Sequence, residues 1–220
     1  MQHGQFRPKT LEEAKHLSVG ACNGFSMEER WHQETPLFAK AILRHLGNGR
    51  VVLDYGCGCG RIAKHVLQSP VAIDRLFGVD DSDHQLRLAQ DYVADDRFIP
   101  CHPSELAGTA DMAYCIYVLQ HVPAVELREA IARIHAHLRD NAALVYCSSI
   151  RRMAIRFDKE GVFDDQFLGV DIIAEITRLF DPVENLFTEE ELRSSPLLDR
   201  MIAGSAHPHP ALVFRKRPTR

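Results

Sequence analysis

The stretch Val51–Val66 reads VVLDYGCGCGRIAKHV and changes its hydrophobic pattern in the middle. The run Val51–Leu53 is apolar and rich in β-branched side chains, which predicts a buried parallel strand ending at Asp54. Three glycines then free the backbone for a sharp turn and let a ligand approach it closely. Beyond the turn, apolar residues recur at helical spacing at Ile62, Ala63, Val66 and Leu67. Strand, glycine turn and helix together predict a ligand cradle.

The charges of this cradle indicate what it can bind. The first amides of a helix point toward a ligand, and an acidic residue at a strand end, here Asp54, can hold a cationic group. A dinucleotide-binding turn would follow the pattern G-x-G-x-x-G, which requires glycine at the position of Arg61. The turn therefore disfavours a nicotinamide dinucleotide, although glycine-rich turns of this kind also serve other ligands or none.

Two segments resemble motifs of one family. LDYGCGCG, from Leu53 to Gly60, resembles the first motif of class I S-adenosylmethionine (SAM) dependent methyltransferases. DMAYCIYVLQHVP, from Asp111 to Pro123, resembles their fourth motif, where the chain passes the methyl donor. This resemblance covers roughly residues 50–150. It implies an α/β fold with a doubly wound, mostly parallel seven-stranded sheet and helices on both faces, with SAM as cofactor and S-adenosylhomocysteine (SAH) as product.

The resemblance also assigns cofactor-binding residues. It implies that Asp54 faces the methionine end, that Asp80 accepts the ribose hydroxyls and that Asp81 lies on the adenine side, although Asp81 could instead be a helix-start charge. His102 stands where the family often has an aspartate; it could contact the purine or be a surface loop residue. The cofactor-binding residues predicted in this way are Asp54, Gly56, Cys57, Gly58, Gly60, Asp80, Asp81, His102, Cys115 and Ile116.

Four further residues are predicted to act on the methyl acceptor. His121 follows the fourth strand and is the candidate catalytic residue, which orients the acceptor or takes its proton; the alternative is a hydrogen bond at a helix entrance. Tyr117 and Trp31 are candidates for lining the acceptor pocket, although Trp31 could equally anchor its helix on the core. Arg151 lies in a charged insertion of the kind that builds substrate lids in this family.

Periodicity predicts the boundaries of the elements. One domain is expected over residues 1–220, with a helical cap (1–49), a SAM-binding core (50–150) and a lid-like insertion with the C-terminal sheet edge (151–220). A helix is predicted from about Ser26, broken at Pro36, and another over 172–180. The predicted strands are 51–53, 76–79, 97–100, 111–118, 142–149, 183–187 and 211–215.

Composition narrows the class of partner. The chain has 220 residues, 45% of them hydrophobic, and a net charge of −4, which gives no broad cationic surface for nucleic acid or an anionic membrane. Six cysteines without a CxxC pair indicate reduced thiols in the cytoplasm, and their spacing predicts no metal site. We therefore expect a methyltransferase acting on a small-molecule acceptor. The rival interpretations are a non-catalytic binding or regulatory subunit and an NAD(P)-dependent oxidoreductase.

Overall fold

Seven strands form the centre of the computed structural model, which describes residues 8–18, 25–147, 172–198 and 211–218. The strands are β1 (Val51–Tyr55), β2 (Arg75–Val79), β3 (Phe98–Cys101), β4 (Ala110–Ile116), β5 (Leu138–Cys147), β6 (Phe180–Asn185) and β7 (Ala211–Lys216). They lie in the order β3-β2-β1-β4-β5-β7-β6. Strands β1 to β5 are mutually parallel, and β7 is antiparallel to both of its neighbours. The predicted seven-stranded, mostly parallel sheet is confirmed.

Helices cover both faces of this sheet. The α-helices are α1 (Leu11–Ser18), α2 (Met27–Glu29), α3 (Thr35–Leu43), α4 (Arg61–Leu67), α5 (Asp83–Val93), α6 (Ala124–Ala136), α7 (Ile172–Ile176) and α8 (Glu189–Ser194). Side chains of a strand alternate between the two faces, so each face has its own core. On β4, Met112 and Tyr114 pack in the core that contains α3 and α4, whereas Ala113 and Cys115 pack in the core that contains α6 and α7. Because both faces are covered, the strands are nearly continuously apolar, as parallel strands require.

The helical segment before β1 is continuous through Pro36, where we predicted a break. Ser26 caps it with a capping box completed by Glu29, and α2, a π-helix over Arg30–Glu34 and α3 then follow without a gap. Proline has no amide hydrogen and its ring crowds the preceding turn, so a widened turn just before it lets the helix continue. The π-helix, in place of a break, therefore carries the helix past Pro36.

Other boundaries differ from the predicted ones for identifiable reasons. β4 ends at Ile116, not at residue 118, because Tyr117 adopts a left-handed conformation with φ of +62°. The helix beginning at Ile172 ends at Ile176, and Phe180 already belongs to β6. β6 thus starts earlier than predicted and contains Pro182, which an edge strand tolerates. The predicted lid and the residues from 148 to 171 lie outside the described residues.

Candidate functional site

The glycine turn joins β1 to α4 and is fastened to the end of β2. The amides of Gly56 and Cys57 both donate to the carbonyl of Val79, at 2.7 and 2.9 Å. Gly56, Gly58 and Gly60 have φ values of +82°, +54° and +78°, which strain any side chain with a Cβ. At Gly56 a Cβ would also lie 2.3 Å from a methyl group of Val118. Glycine is therefore required here both by conformation and by the approach of the loop after β4.

Asp80 connects the turn to the start of α5. Its Oδ2 accepts a hydrogen bond from the Gly58 amide and its Oδ1 accepts one from the Ser82 amide, both at 3.0 Å. Burial raises the pKa of Asp80 to about 6, although these two hydrogen bonds oppose the rise. A carboxylate has about four acceptor positions, so two remain for a ligand. Asp80 thus lies beside the turn at the next strand end, as the sequence predicted.

Asp54 is more deeply buried, with 4% of its surface exposed. The Tyr114 hydroxyl donates to its Oδ2 at 2.9 Å. Burial raises the pKa of Asp54 to about 8, because its hydrogen bond to Tyr114 does not offset the loss of water. Near neutral pH the side chain is therefore mostly protonated until a cation enters. The sequence predicted the position of this acidic residue but not the effect of burial on its charge.

The end of β4 forms the opposite wall of the turn. The side chains of Cys115 and Ile116 are buried, with 0% and 8% of their surface exposed, so only their backbone is left to face a ligand. Tyr117 follows in its left-handed conformation, held by a hydrogen bond from its amide to the Cys147 carbonyl at 2.8 Å. Its ring packs edge-on against Phe38, with centroids 5.8 Å apart. A non-glycine residue in this conformation is uncommon and often marks a functional position.

His121 ends a short 3-10 helix, Leu119–His121, directly after this wall. Its amide donates to the Val118 carbonyl at 2.8 Å, and its Nε2 lies 3.3 Å from Gln120 Nε2. Burial lowers the pKa of His121 to about 4. The imidazole is therefore neutral at physiological pH, and its lowered pKa makes it a weaker base than an ordinary histidine.

The predicted adenine contacts lie at the start of α5 and the end of β3. His102 Nε2 is 2.8 Å from Asp83 Oδ1, and the His102 amide donates to Glu105 Oε2 at 2.9 Å. The hydrogen bond with His102 lowers the pKa of Asp83. Asp81 is exposed just before α5. His102 thus already has a partner on α5, which was not anticipated from the sequence.

Trp31 is buried, with 3% of its surface exposed. Its ring packs edge-on against Tyr92, with centroids 5.9 Å apart, and Arg61 lies over it at 5.8 Å. These contacts favour the alternative in which Trp31 anchors its helix. Arg151, the other predicted acceptor residue outside the core, is not among the described residues.

A buried ionic group attaches the cap to the glycine turn. Glu34, with 0% of its surface exposed, accepts from Arg30 at 2.7 and 2.9 Å through one oxygen and from Arg61 at 3.3 Å through the other. Arg61 also donates to the Thr35 hydroxyl at 3.2 Å. The sequence had shown Arg61 only as a departure from the dinucleotide pattern. Glu34 carried no recognisable signal, because the pairing joins residues 27 positions apart.

Gln85 was also missed by the sequence analysis. It lies in the first turn of α5, is 4% exposed, and its Oε1 has no hydrogen-bond partner among the described residues. Leu88 and Tyr92, which follow at helical spacing on the same side of α5, pack against a cluster that contains Cys59 of the glycine turn. Gln85 therefore lies on the face of α5 directed toward the turn, with an unused acceptor.

Within the described residues, no group of three or more histidine, cysteine or acidic side chains could hold a metal ion. The described cysteines at 57, 101, 115 and 147 form no disulfide bond within the described ranges. No helix in the described ranges combines the length and apolarity needed to cross a bilayer.

Comparison with solved structures identifies similar folds. The N-methyltransferase NodS from Bradyrhizobium japonicum WM9 is 15% identical, with a TM-score of 0.60 over 87% of this chain and 99% of NodS. Magnesium protoporphyrin IX methyltransferase (ChlM) from Synechocystis PCC 6803, solved with bound SAM, is 16% identical, with a TM-score of 0.55 over 96% of this chain and 93% of ChlM. The [4+2]-cyclase SpnF is 19% identical, with a TM-score of 0.58 over 92% of this chain and 85% of SpnF.

Sequence comparison supplies the family. No curated protein matches the chain significantly. A family model described as a methyltransferase domain matches residues 27–194, well over half of the chain, and this range contains the glycine turn, Asp80 and the end of β4. The chain therefore belongs to the methyltransferase domain family.

Proposed function

We propose that this protein binds SAM at the glycine turn and transfers its methyl group to a small-molecule acceptor. The observation that carries the proposal is the bond between the Gly58 amide and the Asp80 carboxylate, because it places a carboxylate beside a side-chain-free backbone at adjacent strand ends. This is the arrangement that presents acceptors to a ribose while leaving room for the ligand. The SAM and SAH complexes of structures with the same fold support the same choice of cofactor.

The residues present fit SAM in their donor and acceptor chemistry. Asp80 keeps free acceptor positions for ribose hydroxyls, and the unpartnered Oε1 of Gln85 supplies another acceptor on the neighbouring helix. A buried acceptor without a partner is costly, by about 1–3 kcal/mol, so a ligand donor there is favourable. Asp54 would hold the cationic end of the methionine moiety. Other contacts to the cofactor would come from the backbone groups of Gly56, Cys57, Gly60, Cys115 and Ile116. The adenine side would be formed by Asp81 and His102.

SAM supplies a methyl group on a sulfonium, which is already an activated leaving group. The chain itself must therefore mainly align the acceptor and exclude water. We assign the alignment to Tyr117, whose backbone is held in an uncommon conformation at the end of β4, with Arg151 of the lid-like insertion (151–220) as a further candidate. Trp31, which is buried, anchors the cap (1–49) in this assignment. Within this assignment His121 orients the acceptor, since its lowered pKa makes proton removal at neutral pH a lesser role.

The first experiment is mass spectrometry of the purified protein for co-purifying SAM or SAH, followed by calorimetric titration with SAM, SAH and NAD. We expect SAM and SAH to bind and NAD not to bind. Incubation with pools of small-molecule acceptors should then release SAH. Binding of NAD without SAM would instead support the oxidoreductase alternative.

A substitution of Gln85 tests the cofactor site independently of the acceptor. Gln85→Met keeps the length of the side chain and removes its acceptor, so SAM affinity should fall about tenfold, the worth of one good hydrogen bond. Without ligand the variant should unfold at a temperature no lower than that of the wild type, because the substitution removes a buried acceptor that has no partner among the described residues. Unchanged affinity would place Gln85 outside the cofactor site.

Two observations bear on the remaining alternatives. SpnF shares this fold and is described as a [4+2]-cyclase, so the fold by itself does not require methyl transfer, and the acceptor experiment must distinguish binding of SAM from its turnover. SAM binding with no turnover of any acceptor pool would favour the non-catalytic or regulatory subunit. The thiols of Cys57, Cys101, Cys115 and Cys147 support a reducing compartment, and we place the protein in the cytoplasm.

A further inference from the structure

Glu34 is a fully buried carboxylate in the helical segment before β1. It is 0% exposed, and acidic side chains are almost never buried to this extent unless they are paired. One of its oxygens accepts from Arg30 at 2.7 and 2.9 Å, and the other accepts from Arg61 at 3.3 Å. Guanidinium groups keep their protons in proteins, so a carboxyl group that accepts from two of them is held in its ionised form. Glu34 therefore places a negative charge inside the molecule.

The segment that carries this charge contacts both walls of the cofactor site. Arg61 is the first residue of α4, directly after the glycine turn, and it also donates to the Thr35 hydroxyl at 3.2 Å. On the other wall, the ring of Tyr117 packs edge-on against Phe38, which lies about one turn after Thr35 in α3. Glu34 is thus joined through its neighbours to the glycine turn and to the end of β4.

The charges of Glu34 and Arg61 reach side chains of the site. Burial raises the pKa of Tyr117, and the negative charge of Glu34 raises it further. Burial also raises the pKa of Asp54 to about 8, and the positive charge of Arg61 is among the influences that oppose this rise. Charges in a protein interior interact over longer distances than in water, and salt screens them little. Glu34 and Arg61 therefore act in opposite directions on the same region.

The cofactor and its product differ in charge only at the sulfur atom. SAM has a positive sulfonium there, whereas SAH has a neutral thioether, and their adenosine and amino-acid ends are the same. A positive charge near the site therefore weakens the binding of SAM relative to SAH, and a negative charge strengthens it. Arg61 without a carboxylate beside it would favour the product, which would then compete with the cofactor.

We propose that Glu34 offsets the charge of Arg61 and thereby raises the preference of the cofactor site for the sulfonium of SAM over the thioether of SAH. This inference rests on the proposed binding of SAM at the glycine turn and adds the residue that distinguishes the cofactor from its product. Glu34 acts as a positioning residue through Arg61, since none of its own surface is exposed. A buried ion pair is often no more stable than packed apolar side chains, so stability alone is a weak reason for burying these charges.

Calorimetric titration of the full chain with SAM and with SAH tests the proposal through the ratio of the two dissociation constants. In Glu34→Gln, the preference for SAM over SAH should fall about fivefold or more, because a unit charge acting over roughly 15 Å at an effective dielectric constant of about 20 suffices for such a change. A residue that only holds the fold together would weaken both ligands equally. Equal losses for SAM and SAH in Glu34→Gln would therefore overturn the proposal.

Two further substitutions separate charge from packing. Arg61→Gln removes a positive charge and leaves Glu34 paired with Arg30, so it should shift the ratio in the opposite direction, toward SAM. Glu34→Asp keeps the charge on a shorter side chain and should retain the wild-type ratio, even where both affinities fall. Glu28→Gln, which is exposed in the same helical segment, is the matched control and should retain both affinities. Shifts in the same direction in Glu34→Gln and Arg61→Gln would contradict the proposal.

Thermal unfolding verifies that each variant is folded at the temperature of the titration. If Glu34→Gln does not fold, Arg61→Gln decides the question, and an unchanged ratio in that variant overturns the proposal. Failure of the proposed function gives a different result, because the wild type then binds neither SAM nor SAH, and both proposals fall together. Wild-type binding of both ligands, with a ratio that none of these charge changes alters, overturns only the role of Glu34.

Discussion

Asp54 and Asp80 lie at the ends of adjacent strands, yet their surroundings give them different pKa values. Asp80 accepts two backbone amides, and burial raises its pKa to about 6. Asp54 has one hydroxyl partner, and burial raises its pKa to about 8. Near neutral pH, Asp80 is mostly ionised and Asp54 is mostly protonated. At the scale of single residues, the carboxylate that accepts more hydrogen bonds has the lower pKa, because hydrogen bonds to the ionised form stabilise its charge.

Asp80→Asn should weaken SAM binding by about 1.5 to 3 kcal/mol, the range for hydrogen bonds to a charged group. Asparagine keeps one oxygen to accept from the backbone, so the glycine turn is disturbed less than it would be by alanine. Calorimetric titration with SAM measures the change. Asp91→Asn, on the exposed side of α5, is the control and should bind SAM like the wild type. An unchanged dissociation constant in Asp80→Asn would mean that this carboxylate serves only the turn.

The raised pKa of Asp54 predicts that SAM binding depends on pH. A cationic group requires the ionised carboxylate, so binding releases the proton that Asp54 holds below about pH 8. Affinity should therefore rise between about pH 7 and pH 8, by at most about tenfold per unit, the limit for one linked proton. Calorimetry at several pH values should show this slope in the wild type and a flatter one in Asp54→Asn. Equal slopes would contradict the assignment.

The same pKa shift affects the protein without ligand. The folded state holds the Asp54 proton more tightly than the unfolded chain does, because the folded pKa is raised. Its contribution to stability is therefore fully present below the unfolded pKa of about 4 and is lost as pH rises through about 8. Ligand-free protein should unfold at lower denaturant concentration as pH rises through this interval, and Asp54→Asn should reduce that change.

At the scale of elements, the cap and the core are joined by Glu34. The π-helix places this residue in the helix before β1, and Arg61 at the start of α4 reaches it from the glycine turn. α3 also packs extensively on α4, with Ile42 and Ile62 in one core. The cap is thus attached to the turn that forms the cofactor site, so a disturbance of the cap should reach that site.

Glu34→Gln should destabilise the fold by roughly 3 kcal/mol or more, as expected when one partner of a buried ion pair is removed. The reason is that Arg30 and Arg61 would keep their charges without the carboxylate that offsets them. Denaturant unfolding measures the loss. Glu28→Gln, in the same helical segment but exposed, should change stability by less than about 1 kcal/mol. Similar losses in both variants would show that the buried group contributes little.

At the scale of the whole molecule, the two ends of the sheet carry different chemistry. The carboxyl-terminal ends have the glycine turn and the acidic pair, and the amino-terminal ends have Asp111, which accepts from the amides of Arg50 and Val51. A ligand at the carboxyl-terminal ends is surrounded by elements from distant parts of the chain. Binding of SAM there should therefore stabilise the folded molecule as a unit.

SAM at about a hundred times its dissociation constant should stabilise the protein by about 2.7 kcal/mol through mass action. For a chain of this size that corresponds to a rise of about 5 to 10 °C in the unfolding temperature. Differential scanning calorimetry measures the shift, and NAD at the same concentration is the control. A shift with NAD and none with SAM would contradict the proposed cofactor.

The sequence by itself determined the features encoded over short distances. The strand, the glycine turn and helix α4 follow one another within the Val51–Val66 stretch, and Asp80 lies one strand later, so local pattern and spacing were enough to place them at adjacent strand ends. The parallel, doubly wound character of the sheet also followed from the alternation of strand and helix, whereas the order of its strands did not.

Only the tertiary structure decided the features that join distant residues. The pairing of Glu34 with Arg61 and the direction of Gln85 toward the turn depend on how helices and strands pack, which local periodicity does not encode. Burial is likewise a property of the whole fold. It changes the pKa values of Asp54 and His121 in opposite directions, because it disfavours the charged form of each, and that charge is negative in one and positive in the other.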